Sequence, residues 1–216
     1  MSESEGKDPK DQSSQDRLVQ IVKVLVWPVV LLLILLIFKG TSVPKELQLD
    51  AKGIKISFYL LQAAERGGPA NKPPEAPPNT VEIQDAAKRA SGLSLEGAKV
   101  LWVDDNPQNQ EYERSALAAL GIQFVLARST SEALPILKSQ TFRLVITDFK
   151  RVDDDRGGMT LLEEVKKLQS PPPLIIYSGS ASPEYEAEAK KRGAFGETNQ
   201  PQRLFSLAID AIGSRK

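Results

Sequence analysis

The chain has 216 residues, room for one ordinary domain with appendages, and its 28 basic residues are matched by 28 acidic ones. That balance leaves no overall basic field to attract nucleic acid. Cysteine and histidine are both absent. Their absence excludes disulfides, thiol nucleophiles, thiolate or imidazole metal sites and a histidine phosphocarrier, so chemistry must run on carboxylates, hydroxyls and bound ions.

Residues 1–17 are polar and carry almost no apolar side chain, the composition of a segment that cannot offset its own ordering entropy. Residues 18–38, LVQIVKVLVWPVVLLLILLIF, are long and apolar enough to predict a transmembrane helix. Gln20 and Lys23 lie in its first turns, where a lysine can snorkel, and no small-residue cleavage site follows Phe38. Lys39, Lys45, Lys52 and Lys55 after the span favour the N-terminus out and the C-terminus in, although Arg17 and Lys23 argue the other way.

In the juxtamembrane segment 39–66, Leu47 and Leu49, then Ile54, Ile56 and Phe58, alternate with polar neighbours around Asp50-Ala51-Lys52-Gly53. This alternation predicts a small β-hairpin, which would need self-association, the bilayer surface or the distal domain to pack on. Residues 67–80, GGPANKPPEAPPNT, read as a semi-rigid extended spacer. A short helix over Val81–Ser91 then leads, within the segment 81–97, into the main domain, residues 98–216.

There, strand-like runs alternate with helical patterns. Strands are predicted at Val100–Val103, Ile122–Ala127, Leu144–Ile146, Leu174–Tyr177 and Ala194-Phe195. Helices are predicted at Pro107–Leu120, from the capping box Ser129-Thr130-Ser131-Glu132 through Leu137, and at Leu161–Leu168, Pro183–Arg192 and Pro201–Ile212. Five strand–helix repeats imply an α/β fold, a parallel sheet with helices on both faces and ligands at the carboxyl ends of the strands.

Asp104-Asp105 ends the first strand, Asp148 the third and Ser178 the fourth, so all four share one rim. Three carboxylates gathered there are costly without a cation, and oxygen ligands suit a hard ion such as Mg2+. Such a site also suits phosphoryl transfer to a carboxylate. Taken singly, each of these residues is more often a solvated loop start or a turn residue; their convergence carries the argument. Asp153-Asp154-Asp155 reads as an exposed loop, and Trp102 and Tyr177 as core or pocket wall.

VLWVDDNP, LVITDF, IIYSGS and GAFGETNQP, in this order and spacing, resemble the signature segments of bacterial response-regulator receiver domains over about residues 98–213. The resemblance implies a flavodoxin-like, doubly wound five-stranded sheet. It implies Asp104, Asp105, Asp148 and the backbone carbonyl of Lys150 as metal ligands, Asp148 as phosphoacceptor and Ser178 as switch hydroxyl. It also implies a signalling module rather than an enzyme, a histidine kinase or other signalling partner, and a bacterial inner-membrane location with this domain in the cytoplasm. No DNA-binding or catalytic output segment follows the last helix, so output is expected through protein contacts, without nucleic acid and with a homodimer among the candidates.

Two positions depart from the pattern. Gln200 stands where the family has a lysine that pairs with the phosphoryl group, and Glu197 stands at its aromatic switch position. An amide cannot supply positive charge, and Lys150, Arg151 and Arg156 are the cations available in its place. The missing lysine favours an alternative, a pseudo-receiver that docks a partner without phosphorylation. A carboxylate-based hydrolase ranks last, because the second acid that haloacid dehalogenase-like enzymes need falls on Lys150.

Overall fold

The computed structural model describes residues 51–70, 79–179 and 183–214, all within one compact unit that begins at Leu49. The expected polar tail, the transmembrane span, the first arm of the hairpin and most of the proline-rich spacer lie outside these residues. Among the described residues no helix is long and apolar enough to cross a membrane.

In chain order the elements are α1 (Ala51–Glu65), α2 (Thr80–Ser91), β1 (Lys99–Val103), α3 (Glu111–Ala118), β2 (Gln123–Ala127), α4 (Thr130–Ser139) and β3 (Leu144–Thr147). There follow α5 (Gly157–Lys166), β4 (Leu174–Tyr177), α6 (Pro183–Arg192), β5 (Gly196–Thr198) and α7 (Pro201–Gly213). The strands form one parallel five-stranded sheet in the order β2-β1-β3-β4-β5, the α/β, doubly wound sheet expected. β1 lies between β2 and β3, so the order reverses there and opens a crevice at the carboxyl ends.

Strand alternation divides the core in two. Val100, Trp102, Leu144, Ile146, Ile175 and Tyr177 face the layer that holds α3 and α7. Leu101, Val103, Val145 and Ile176 face the layer of α4, α5 and α6. Both faces are buried, which is why these strands read as continuous apolar runs. Ser129 caps α4 by accepting from Glu132 N–H at 3.1 Å, while the Glu132 carboxylate accepts from Arg128 N–H at 2.7 Å, one residue short of the usual reciprocal bond.

Two readings need correction. The second arm of the expected hairpin is part of helix α1. Ile56, Leu60, Ala63 and Ala64 are buried at helical spacing, and the helix packs mainly on α3. Ile54 and Phe58, which made the alternation look strand-like, remain on the outer surface. The last strand lies two residues beyond Ala194-Phe195, because the ladder with β4 pairs Ile175 with Gly196. Hydrophobicity misled there: β5 carries Glu197 and Thr198, both buried.

The extension is built into the domain. Arg89 on α2 donates to Asp210 Oδ1 at 2.9 Å and to Ser206 Oγ at 2.8 Å, both on α7. The start of the spacer is docked as well. Gly68 has φ +53°, and a Cβ there would lie 2.9 Å from the Tyr177 hydroxyl and 3.0 Å from the Asn199 carbonyl. The backbone approaches that closely only because the side chain is a hydrogen.

Candidate functional site

The carboxyl ends of β1, β3 and β4 deliver the acidic pair, Asp148 and Ser178 to one rim, as the strand reading requires. Asp105, Asp148, Lys150, Arg151, Val152, Asp155, Ser178 and Gly179 line an open depression of about 500 Å³. Asp104 sits beneath it, 4% exposed, with Oδ1 accepting Asn106 N–H at 2.8 Å. Asp105 Oδ2 accepts Val152 N–H at 2.8 Å, tying the first strand's end to the loop after Asp148. Asp148 Oδ1 accepts Phe149 N–H at 2.7 Å, and the Ser178 hydroxyl also hydrogen-bonds the Asp148 carboxylate.

Electrostatics mark this rim as unfinished. Burial, then the charge of Asp104, pushes the Asp148 carboxyl up to about 6, against the opposing hydrogen bonds from Phe149 and Ser178. Burial also raises Asp104, with Asp105 adding to it. Carboxylates that resist ionisation together are short of positive charge.

Mg2+ fits this donor set. Each aspartate has one oxygen held by a backbone N–H, which fixes its direction and leaves a second oxygen for a ligand. No three acidic groups among the described residues close into a metal cage. A small hard cation that keeps several waters and takes one or two carboxylates does not need one.

The three cations of the β3–α5 loop separate. Lys150 Nζ pairs with Asp155 Oδ1 at 2.7 Å on the rim. Arg156 Nη2 pairs with Glu188 on α6, also at 2.7 Å. Arg151 turns inward, its side chain 0% exposed. Nη1 donates to Thr147 Oγ1 at 2.7 Å and to the Asp148 carbonyl at 3.2 Å, and Nη2 donates to Thr130 Oγ1 at 2.5 Å. Gly157 makes room, since a Cβ there would lie 2.6 Å from Nη2. Gln200, expected at the site, is exposed and does not line the depression; its Oε1 accepts from Gln202 Nε2 at 3.4 Å.

Sequence reasoning missed Thr130, Thr147 and the inward turn of Arg151, since a loop arginine among three aspartates reads as solvated. The glycine pair after the loop was the one available signal. It also missed the buried bond from the Tyr177 hydroxyl to Glu113 Oε1 at 2.7 Å. Glu197 is buried with neither carboxylate oxygen hydrogen-bonded, and burial, then Glu186 and Glu188 on α6, pushes it up to about 7.

Comparison with known proteins agrees with this geometry. Residues 100–204 match the family model for the response regulator receiver domain. Transcriptional regulatory protein ZraR of Escherichia coli (strain K12) is 31% identical over 115 residues, covering 53% of this chain and 26% of that protein. Response regulator protein PilR of Pseudomonas aeruginosa is 28% identical over 120 residues, with 54% and 26% covered. The chain thus spans about a quarter of the length of these relatives. The receiver domain of Francisella response regulator 1452 superposes with a TM-score of 0.50 at 23% identity, covering 56% of this chain and 100% of that one, which bears on the fold alone. Sheet order, the acidic rim and the family match converge: residues 100–204 are a response regulator receiver domain.

Proposed function

We propose that this domain accepts a phosphoryl group on Asp148 in phosphorelay signalling, held at a bacterial inner membrane by residues 18–38 with the domain in the cytoplasm. The observation that carries the reading is the rim itself: Asp148, hydrogen-bonded by Ser178, beside two more aspartates and short of positive charge. Asp148 attacks phosphorus, a carboxylate O–P bond forms, and the N–P bond to a kinase's phosphohistidine breaks. The imidazole leaves with the electron pair and takes a proton from water. Asp104, Asp105, Asp148 and the Lys150 carbonyl would hold Mg2+, directly or through its waters, and the bound ion would supply charge neutralisation at the phosphoryl oxygens. The Ser178 hydroxyl would donate to one of them.

The test uses full-length protein in detergent with acetyl phosphate, read by intact mass. A Mg2+-dependent gain of one phosphoryl group, absent in Asp148→Asn, is expected. No gain with Mg2+ present would sink the reading. It would favour the second one, a docking module independent of phosphorylation, which the placement of Gln200 outside the depression supports. On either reading the partner is a signalling protein, with a second copy of this chain among the candidates.

A further inference from the structure

We infer that Arg151 is a positioning residue for phosphoryl transfer: it holds the Asp148 main chain and supplies, from beneath the site, the positive charge that Gln200 cannot. The inference rests on the proposed chemistry at Asp148 and specifies which group balances its charge.

The guanidinium is enclosed, and the acceptors it reaches are two threonine hydroxyls and the Asp148 carbonyl, all neutral. Its Nε–H is buried with no hydrogen-bond acceptor among the described residues, and Asp153 Oδ1 lies 3.8 Å away on a half-exposed side chain. A buried cation held only by neutral groups is expensive unless nearby negative charge offsets it. Asp153, then Asp148, Asp154 and Asp104, lie within its electrostatic reach and supply that charge.

Charge counting gives the site two uses for this residue. Three carboxylates and one guanidinium leave a deficit that one divalent cation closes. When Asp148 carries a dianionic phosphoryl group, the excess is negative again and a fixed cation lowers it. The hydrogen bond from Nη1 to the Asp148 carbonyl also sets the backbone that aims the carboxylate. Gly157 and Thr130 serve this placement, one by yielding space and the other by accepting from Nη2.

A loop pin without an electrostatic role is the competing account, and the sign of the response separates the two. Arg151→Gln keeps polar atoms near Thr147 and the Asp148 carbonyl while removing the charge. In full-length protein, Mg2+ should bind roughly three- to tenfold tighter, because a repelling charge is gone. Beryllofluoride binding and the acetyl phosphate rate should fall roughly tenfold or more, because an attracting one is gone. Arg151→Lys should hold both near the original values. A pin would weaken both or neither, and either pattern overturns the inference.

If the original protein takes neither acetyl phosphate nor beryllofluoride, the proposed function fails while the Mg2+ measurement still decides the role of Arg151. No Mg2+ binding in either form overturns both. Should Arg151→Gln not fold by circular dichroism, the Arg151 Nε–H resonance of the original protein, assigned with Arg151→Lys, provides the second measurement. It should shift on adding Mg2+ and again with beryllofluoride; a resonance that stays in place overturns the inference.

Discussion

At the scale of single residues, Glu197 shows what a buried acid costs. Its folded value near 7 stands above the ordinary 4.5. Between these the folded protein binds more protons than the unfolded chain, so stability is fullest below about 4.5 and falls as pH rises toward 7. The full loss at pH 8 is on the order of 3 kcal/mol. Glu197→Gln should therefore flatten this part of the pH profile. Denaturant midpoints at pH 5 and pH 8 should converge in the variant relative to the original, with more gained at pH 8. Asp104 and Asp148 shift in the same direction, so the comparison between the two proteins isolates Glu197. None of this was legible beforehand. Glu197 was visible as a departure from the family pattern, but a glutamate in a strand says nothing of its enclosure until α6 brings Glu186 and Glu188 toward it.

At the scale of elements, α1 is the instructive case. Its sequence supports two periodicities, and only packing on α3 chooses the helical one. Leu60 is 1% exposed on the packed face and Phe58 is 56% exposed on the outer one. Leu60→Ala should cost about 2–4 kcal/mol by chemical denaturation, whereas Phe58→Ser should stay within about 0.5 kcal/mol. A β-ribbon would put Ile54, Ile56, Phe58 and Leu60 on one face and give comparable losses at all four. The segment after α1 makes a related prediction. Gly68→Ala introduces a Cβ against Tyr177 and Asn199 at positive φ, and should cost roughly 1–3 kcal/mol. Its measurable local effect is faster hydrogen exchange in α1.

At the scale of the whole molecule, the extension and the receiver domain share one core cluster: Ile56, Leu60, Ile83 and Ala86 pack with Leu117, Phe205 and Ile209. A fragment starting at residue 92 should therefore be less stable than one starting at residue 49, and should bind a hydrophobic dye that the longer fragment does not. Equal stability would mean the extension is merely draped on the surface. Mg2+ should raise the melting temperature at pH 8 and do little at pH 5, where Asp148, pushed up to about 6, leans toward its protonated form. If the melting temperature does not move at pH 8, the rim does not bind the ion.

The chain by itself determined the α/β order, because two-sided burial demands apolar strands and amphipathic helices whatever surrounds them. It also determined that Asp104, Asp105, Asp148 and Ser178 share a rim, because residues ending parallel strands of one sheet have no other place to go. Only the tertiary structure decided which loop cation faces the carboxylates, since Lys150, Arg151 and Arg156 are neighbours and equivalent in sequence. The room left by Gly157 and the acceptors on Thr130 and Thr147 selected Arg151. It alone decided, too, that Ala51–Glu65 is a helix buried on the domain. Local alternation is a weak preference, and an apolar face on α3 waiting to be covered outweighs it.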